Sequence, residues 1–447
     1  MTAGRGHAST VGIVTWQIGQ LSLVSGPMPA VLAGLGVLAL LWLLIRRDRR
    51  HLTRTAPAIA LACVVLTGIF SYVVEVVWRP FPDPLPLAIY LALGAGLLGL
   101  LAVVPRLRHA HTWTTRLGGV LAVVVVLVSA TAQVNYFFRA YPTVAAALGQ
   151  APADQIPFDA VRPPDPAAVV GAPLSAVWRP PSSMAARGQL TRVVIPGTAS
   201  GFAARPARVY LPPAYAAAPR ALLPVLVLMA GQPSTPDDWI AFGRIGAAMD
   251  AYAAAHLGLA PIVVMPDGTG SVLANPLCLD SRLGNVNTYL ARDVPAWVKA
   301  NLQVDPNPQR WAVAGSSYGG TCSLQLAVNN PDVYPTFLDI SGQSEPSLGN
   351  RERTIAGAFG GDGARFAAVN PLDLMQRNRY PQLTGTFVVG ASDNQYRPQA
   401  QQVFDAAQAA GMTARLVEVP GGHDWGVWRQ GLVVNLDWLG TRLGLTP

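Results

Sequence analysis

Three side-chain types that together activate an alcohol oxygen occur in this chain in a fixed order, each just after an apolar run. Ser317 is the centre of Gly315-Ser316-Ser317-Tyr318-Gly319, entered from the run at 311–314 and left through a helix-like stretch that starts at Gly320. Asp393 lies in Gly390-Ala391-Ser392-Asp393-Asn394, after the run at 386–389, and His423 lies in Pro420-Gly421-Gly422-His423-Asp424-Trp425, after the run at 416–419. A serine hydroxyl attacks poorly until an imidazole accepts its proton. The imidazole in turn needs a carboxylate to hold its tautomer and to stabilise the imidazolium. Glycines two residues before and after a serine permit a sharp strand-to-helix turn that lifts the hydroxyl out of the packing.

Each candidate has rivals. The chain has six histidines, of which His7, His51, His109 and His111 fall in apolar N-terminal territory and His256 falls in a helix-like run, leaving His423 as the base. For the acid, Glu418 and Asp424 compete with Asp393, but Glu418 sits inside a strand pattern and Asp424 adjoins the histidine too closely to reach its ring easily. An oxyanion in such a site needs two N–H donors, one after the nucleophile and one from a loop after an earlier strand. Those positions are Tyr318 and, in Ala230-Gly231-Gln232-Pro233, Gln232, with Gly231 as the neighbouring choice. Trp239, Trp425 and Trp428 read equally as pocket walls and as core.

Positioning three loop residues calls for a sheet whose strands end on one side. Short β-like runs at 191–195, 207–211, 223–229, 261–265, 311–314, 336–340, 386–389 and 414–419 alternate with helical patterns at 240–256, 286–301 and 397–410. That alternation predicts one α/β domain over 188–447 with a mainly parallel sheet, its first two strands antiparallel. Before it, 139–187 is rich in Pro and Ala and reads as a stiff linker with little capacity for a core.

The first third has another character. The chain of 447 residues is 51% hydrophobic and only 13% charged, and its apolar residues concentrate near the N-terminus. Runs at 29–45, 56–78, 85–104 and 117–138 approach the roughly 20 residues a spanning helix needs, so four transmembrane helices are expected over 29–138, after an N-terminal segment, 1–28. Arg46, Arg47, Arg49, Arg50 and Arg54 follow the first run, and Arg106, Arg108 and Arg116 separate the third from the fourth, whereas the loop at 79–84 has one arginine. Positive loops stay inside, so the domain after residue 138 is expected on the extracytoplasmic side. Glu75, the one carboxylate within an expected span, lies near its outer end and reads as an interfacial group. The formal charge of +8 is spread over scattered arginines without a basic, aromatic-laced stripe, which argues against nucleic-acid binding.

Taken together, Arg208-Val209-Tyr210-Leu211-Pro212-Pro213, Ala230-Gly231-Gln232, Asp238-Trp239, Met265-Pro266-Asp267-Gly268, the elbow 315–320 and Gly422-His423-Asp424-Trp425 resemble the esterase D-like branch of the α/β-hydrolases, which includes the secreted mycolyltransferases. The resemblance covers about 188–445, leaves the membrane region outside it, and implies acyl-ester chemistry through an acyl-enzyme. Ala230 stands where family members often carry His or Asp.

Of three cysteines, Cys63 falls in an expected span, while Cys278 and Cys322 fall in the domain placed outside, where an oxidising compartment permits a disulfide that spacing alone does not decide. No spacing suits a metal, and no cofactor is expected. The expectation is a multi-pass membrane protein with an extracytoplasmic serine esterase, acting on an acyl ester of a lipid or envelope glycolipid. The alternatives are an acyltransferase moving the acyl chain to a sugar or lipid hydroxyl, and a non-catalytic envelope binding protein.

Overall fold

Val, Ile, Leu and Ala in uninterrupted short runs cannot leave one face in water, so they form strands covered on both faces. The computed structural model describes residues 18–46, 48–148 and 155–447, and its chain divides into two units, Met1–Gln150 and Ala151–Pro447.

In the second unit all eight expected runs are strands: β1 (Gln189–Val193), β2 (Ala207–Leu211), β3 (Val225–Met229), β4 (Ile262–Met265), β5 (Trp311–Ser316), β6 (Thr336–Ile340), β7 (Thr384–Gly390) and β8 (Thr413–Val419). They form one sheet in the order β1-β2-β4-β3-β5-β6-β7-β8. β1 and β2 pair antiparallel and β2 meets β4 antiparallel, while all later pairs are parallel. Central strands β3 and β4 are buried along their whole length. Registers pair Met229 with Gly315, Ser316 with Ile340, and Gly390 with Val419. The carboxyl ends of β3, β5, β6, β7 and β8 therefore form one rim, where ligand sites of open α/β sheets arise. This is an α/β-hydrolase fold preceded by apolar helices.

Two expected helices are interrupted. The pattern at 240–256 becomes Asp238–Ala241 and Ile245–Ala255, separated where Gly243 packs on Trp239 and Arg244 takes φ 53°. The pattern at 286–301 contains a wider turn over Tyr289–Asp293.

The linker reading over 139–187 needs correction for its second half. Proline denies this stretch a place in a sheet interior, but an extended strap needs only scattered backbone bonds. Ile156 N–H donates to Leu190 O, Val169 exchanges bonds with Arg220 and Leu222, and Leu174 and Ser175 donate to Gly444 and Leu445. Trp178 is fully buried and its Nε1 donates to Leu257 O at 2.9 Å. The catalytic unit thus begins well before residue 188.

Among the described residues of the first unit, three helices are long and apolar enough to cross a membrane: His51–Trp78, Leu87–Arg108 and Trp113–Phe138. The first expected span, 29–45, is a helix, Met28–Leu44, of 17 residues. At 1.5 Å per residue it reaches about 25 Å, short of a hydrocarbon core of about 30 Å. Small residues let these helices approach, as Gly36 lies against Ser129 and Gly99 against Val126. Glu75 is an internal brace: its Oε1 accepts Leu85 N–H at 2.9 Å and the Tyr90 hydroxyl at 2.5 Å, tying the two ends of a hairpin together.

Candidate active site

Ser317 sits between β5 and the helix Tyr318–Asn329 with φ 54° and ψ −117°, a conformation unfavourable for a side chain and characteristic of a residue held by its surroundings. Three glycines explain how the turn fits. A Cβ on Gly315 would strike Gly319, one on Gly319 would strike the carbonyls of Met229 and Ala230, and one on Gly320 would lie 2.5 Å from Asp339 Oδ1. The elbow is thus pressed onto the end of β3, and its glycines are required by close approach rather than by flexibility.

His423 brings the rim loops together. Its Nε2 lies 3.0 Å from Ser317 Oγ and its Nδ1 lies 3.0 Å from Asp393 Oδ2. A carboxylate only accepts, so Nδ1 carries the proton and Nε2 is left to accept from the serine hydroxyl. Asp393 is 5% exposed, and its second oxygen accepts Tyr396 N–H at 3.0 Å. Gly390 makes the meeting possible, because a Cβ there would collide with the Gly421 and Gly422 carbonyls. Ala391 N–H to Val419 O and Ser392 N–H to Gly421 O lace the acid loop to the histidine loop.

The rival acids have other work. Glu418 pairs with Arg397 at the surface, 2.7 Å apart. Asp424 caps the helix Trp425–Val433, accepting Gly426 and Val427 N–H on one oxygen and Gly422 N–H on the other, which shapes the loop that carries His423.

A Cβ on Gly231 would stand 3.3 Å from Ser317 Cβ, so the 230–233 loop passes directly beside Ser317. Gln232 follows in that loop, its side-chain amide donating to Leu273 O at 2.7 Å. Tyr318 opens the helix Tyr318–Asn329, whose first amides have no partner within the helix. Its buried phenol, pushed far above the usual range by desolvation, stays neutral, donates to Gly268 O at 2.8 Å and accepts Cys278 N–H at 2.9 Å.

Arg205 and Asp267 brace both sides of this arrangement. Burial alone would raise the Asp267 carboxyl, but bonds from the Arg205 side chain and backbone and from Thr269 N–H outweigh it and hold the group below its ordinary value. The same guanidinium donates to Ser234 O at 3.1 Å, steadying the loop that carries Gln232. Asp238 accepts the Ser234 and Thr235 hydroxyls in that loop.

Cys278 and Cys322 are joined by a disulfide, Cα to Cα 5.4 Å, that ties the 270–280 loop to the helix Tyr318–Asn329. The three tryptophans are packed inside: Trp239, Trp425 and Trp428 are 0%, 6% and 7% exposed, and they form an edge-to-face chain ending on the His423 ring.

Two residues at the site escape a reading of the sequence. Tyr396 stacks on His423, and nothing in its local pattern marks it. Asp339 stands beneath the elbow, and its signal was legible: it is a lone carboxylate in the otherwise buried run Thr336–Ile340.

The Putative esterase family matches residues 203–439, more than half of the chain. An uncharacterised protein of Corynebacterium glutamicum is 36% identical over 445 residues, covering 95% of this chain and 98% of its own length, so the likeness extends through the apolar helices as well. Among solved structures, a ferulic acid esterase is similar with a TM-score of 0.50 and 18% identity over 57% of this chain and 98% of that one. An S-formylglutathione hydrolase from Agrobacterium tumefaciens gives a TM-score of 0.49 and 18% identity over 59% of this chain and 98% of that one. At that identity the first likeness speaks for the fold, and the family match carries the rest: the chain belongs to the Putative esterase family and is an enzyme of the α/β-hydrolase type.

Proposed function

We propose that this protein is a membrane-anchored serine esterase whose catalytic unit works outside the cytoplasm on acyl esters of a lipid or envelope component. The observation that carries the reading is the pair of 3.0 Å contacts running Ser317, His423, Asp393. Ser317 Oγ attacks the ester carbonyl while His423 Nε2 takes its proton, and Asp393 holds the imidazolium. The Tyr318 and Gln232 amides receive the developing oxyanion. The imidazolium then protonates the departing alcohol, leaving an acyl-Ser317 that water, or a sugar or lipid hydroxyl, releases by the reverse sequence. The apolar helices support anchoring, and the arginine distribution supports an outward catalytic unit. A buried disulfide fits an oxidising compartment.

The test is turnover of p-nitrophenyl esters by the full chain in detergent. Ser317→Ala is expected to abolish turnover and fluorophosphonate labelling. Asp393→Asn lowers kcat by about 10⁴, whereas Glu418→Gln, which removes only a surface ion pair, leaves it within about threefold. With a sugar acceptor present, an acylated sugar in the mass spectrum assigns acyl transfer instead of hydrolysis. A folded chain that neither turns over esters nor labels at Ser317 overturns the enzymatic site.

A further inference from the structure

The hydrogen bonds at Nδ1 and Nε2 fix two points on the His423 ring and leave it free to rock about the line between them. A flat neighbour removes that freedom. The Tyr396 ring stacks on the imidazole with centroids 3.9 Å apart and planes 22° apart, while Trp428 meets the same ring edge-on at 5.2 Å and 84°. Tyr396 is 7% exposed and packs with Val389 and Ala400, so its ring is itself held in place. Its backbone N–H is the donor to Asp393 Oδ1. One residue therefore touches the acid through its main chain and the base through its ring.

We propose that Tyr396 is a positioning residue: its ring sets the plane in which His423 takes the Ser317 proton and stabilises the imidazolium through its π face. The inference rests on the Ser317, His423, Asp393 reading. An aromatic face attracts a cation placed over it, and the attraction grows when water is kept away. The interaction is stronger after proton transfer than before it, so it acts on kcat rather than on substrate affinity.

In the full chain in detergent, Tyr396→Leu is expected to lower kcat roughly tenfold, equivalent to about 1.4 kcal/mol of barrier, with KM within about twofold. Tyr396→Phe, which keeps the ring, retains kcat within about twofold. A residue that served only the packing would lower thermal stability in the leucine variant without this split between kcat and KM. With histidine labelled with carbon-13 at Cε1, the His423 resonance, identified by its loss in His423→Ala, is expected upfield of exposed histidines in the wild type and in Tyr396→Phe. That comparison tests the stack on which the role depends even if the leucine variant fails to fold. Unchanged kcat in Tyr396→Leu, or no upfield displacement in the wild type, overturns the stacking role while inactive Ser317→Ala leaves the triad standing. Full turnover by both Ser317→Ala and His423→Ala would remove the triad and this role with it.

Discussion

Asp339 shows how far one buried side chain departs from its solution chemistry. It is 2% exposed on β6, its Oδ1 accepts Gly342 N–H at 2.8 Å, and its Oδ2 has no hydrogen-bond partner. Burial pushes its pKa up to about 7, against the weaker opposing pull of the Gly342 bond. A carboxyl raised in the folded state contributes stability fully below its unfolded value, near 4, and loses it as pH rises through about 7. Wild-type stability should fall between those limits by an amount on the order of 2–4 kcal/mol. Asp339→Asn keeps a neutral group in place and should flatten the profile, melting higher than wild type at pH 8 but not at pH 4. Thermal melts of both proteins across that range check it, and parallel profiles would assign the charge a solvated environment.

The helix Tyr318–Asn329, which follows Ser317, is the element on which the candidate site depends. It is clamped at its start by the glycine contacts with β3, by the Tyr318 hydroxyl on Gly268, and by the Cys278–Cys322 disulfide. Leu277 and Cys278 both take positive φ, 67° and 56°, and Gln325 Nε2 bonds Leu277 O, so the loop facing the helix is held at several points. A disulfide closing a sequence separation of 44 residues restricts the unfolded chain and contributes about 2–4 kcal/mol. Replacing both cysteines by alanine is expected to lower the melting temperature and slow ester turnover by loosening the loop under Tyr318. Melting and kcat of the double variant, compared with wild type with and without reductant, provide the check; an unchanged melt would assign the clamp to hydrogen bonds alone.

For the molecule as a whole, the boundary of the catalytic unit lies within the proline-rich stretch. Removing residues 1–150 leaves the second unit whole, and a fragment with that start should keep its melting temperature and turn over a soluble ester within about threefold of the full chain. Starting at residue 188 deletes the strap bonded to β1, to Arg220 and to Gly444, together with Trp178. Losing that buried tryptophan alone costs about 3–5 kcal/mol. Melts and turnover of the two fragments side by side distinguish the boundaries, and equal stability would restore the linker reading.

The sequence by itself determined the eight strands, the parallel core and the apolar N-terminal helices, and it named the residues of the candidate site, because apolar runs and glycine spacing are local signals. It could rank Asp393 above Glu418 and Asp424, but only the register of β7 against β8 brings Asp393 to the His423 ring. Tertiary structure also decided the Tyr396 stack, the disulfide and the docking of 155–187. Each joins residues distant in sequence or depends on loop geometry, and proline content reports what a segment cannot form rather than what it packs against.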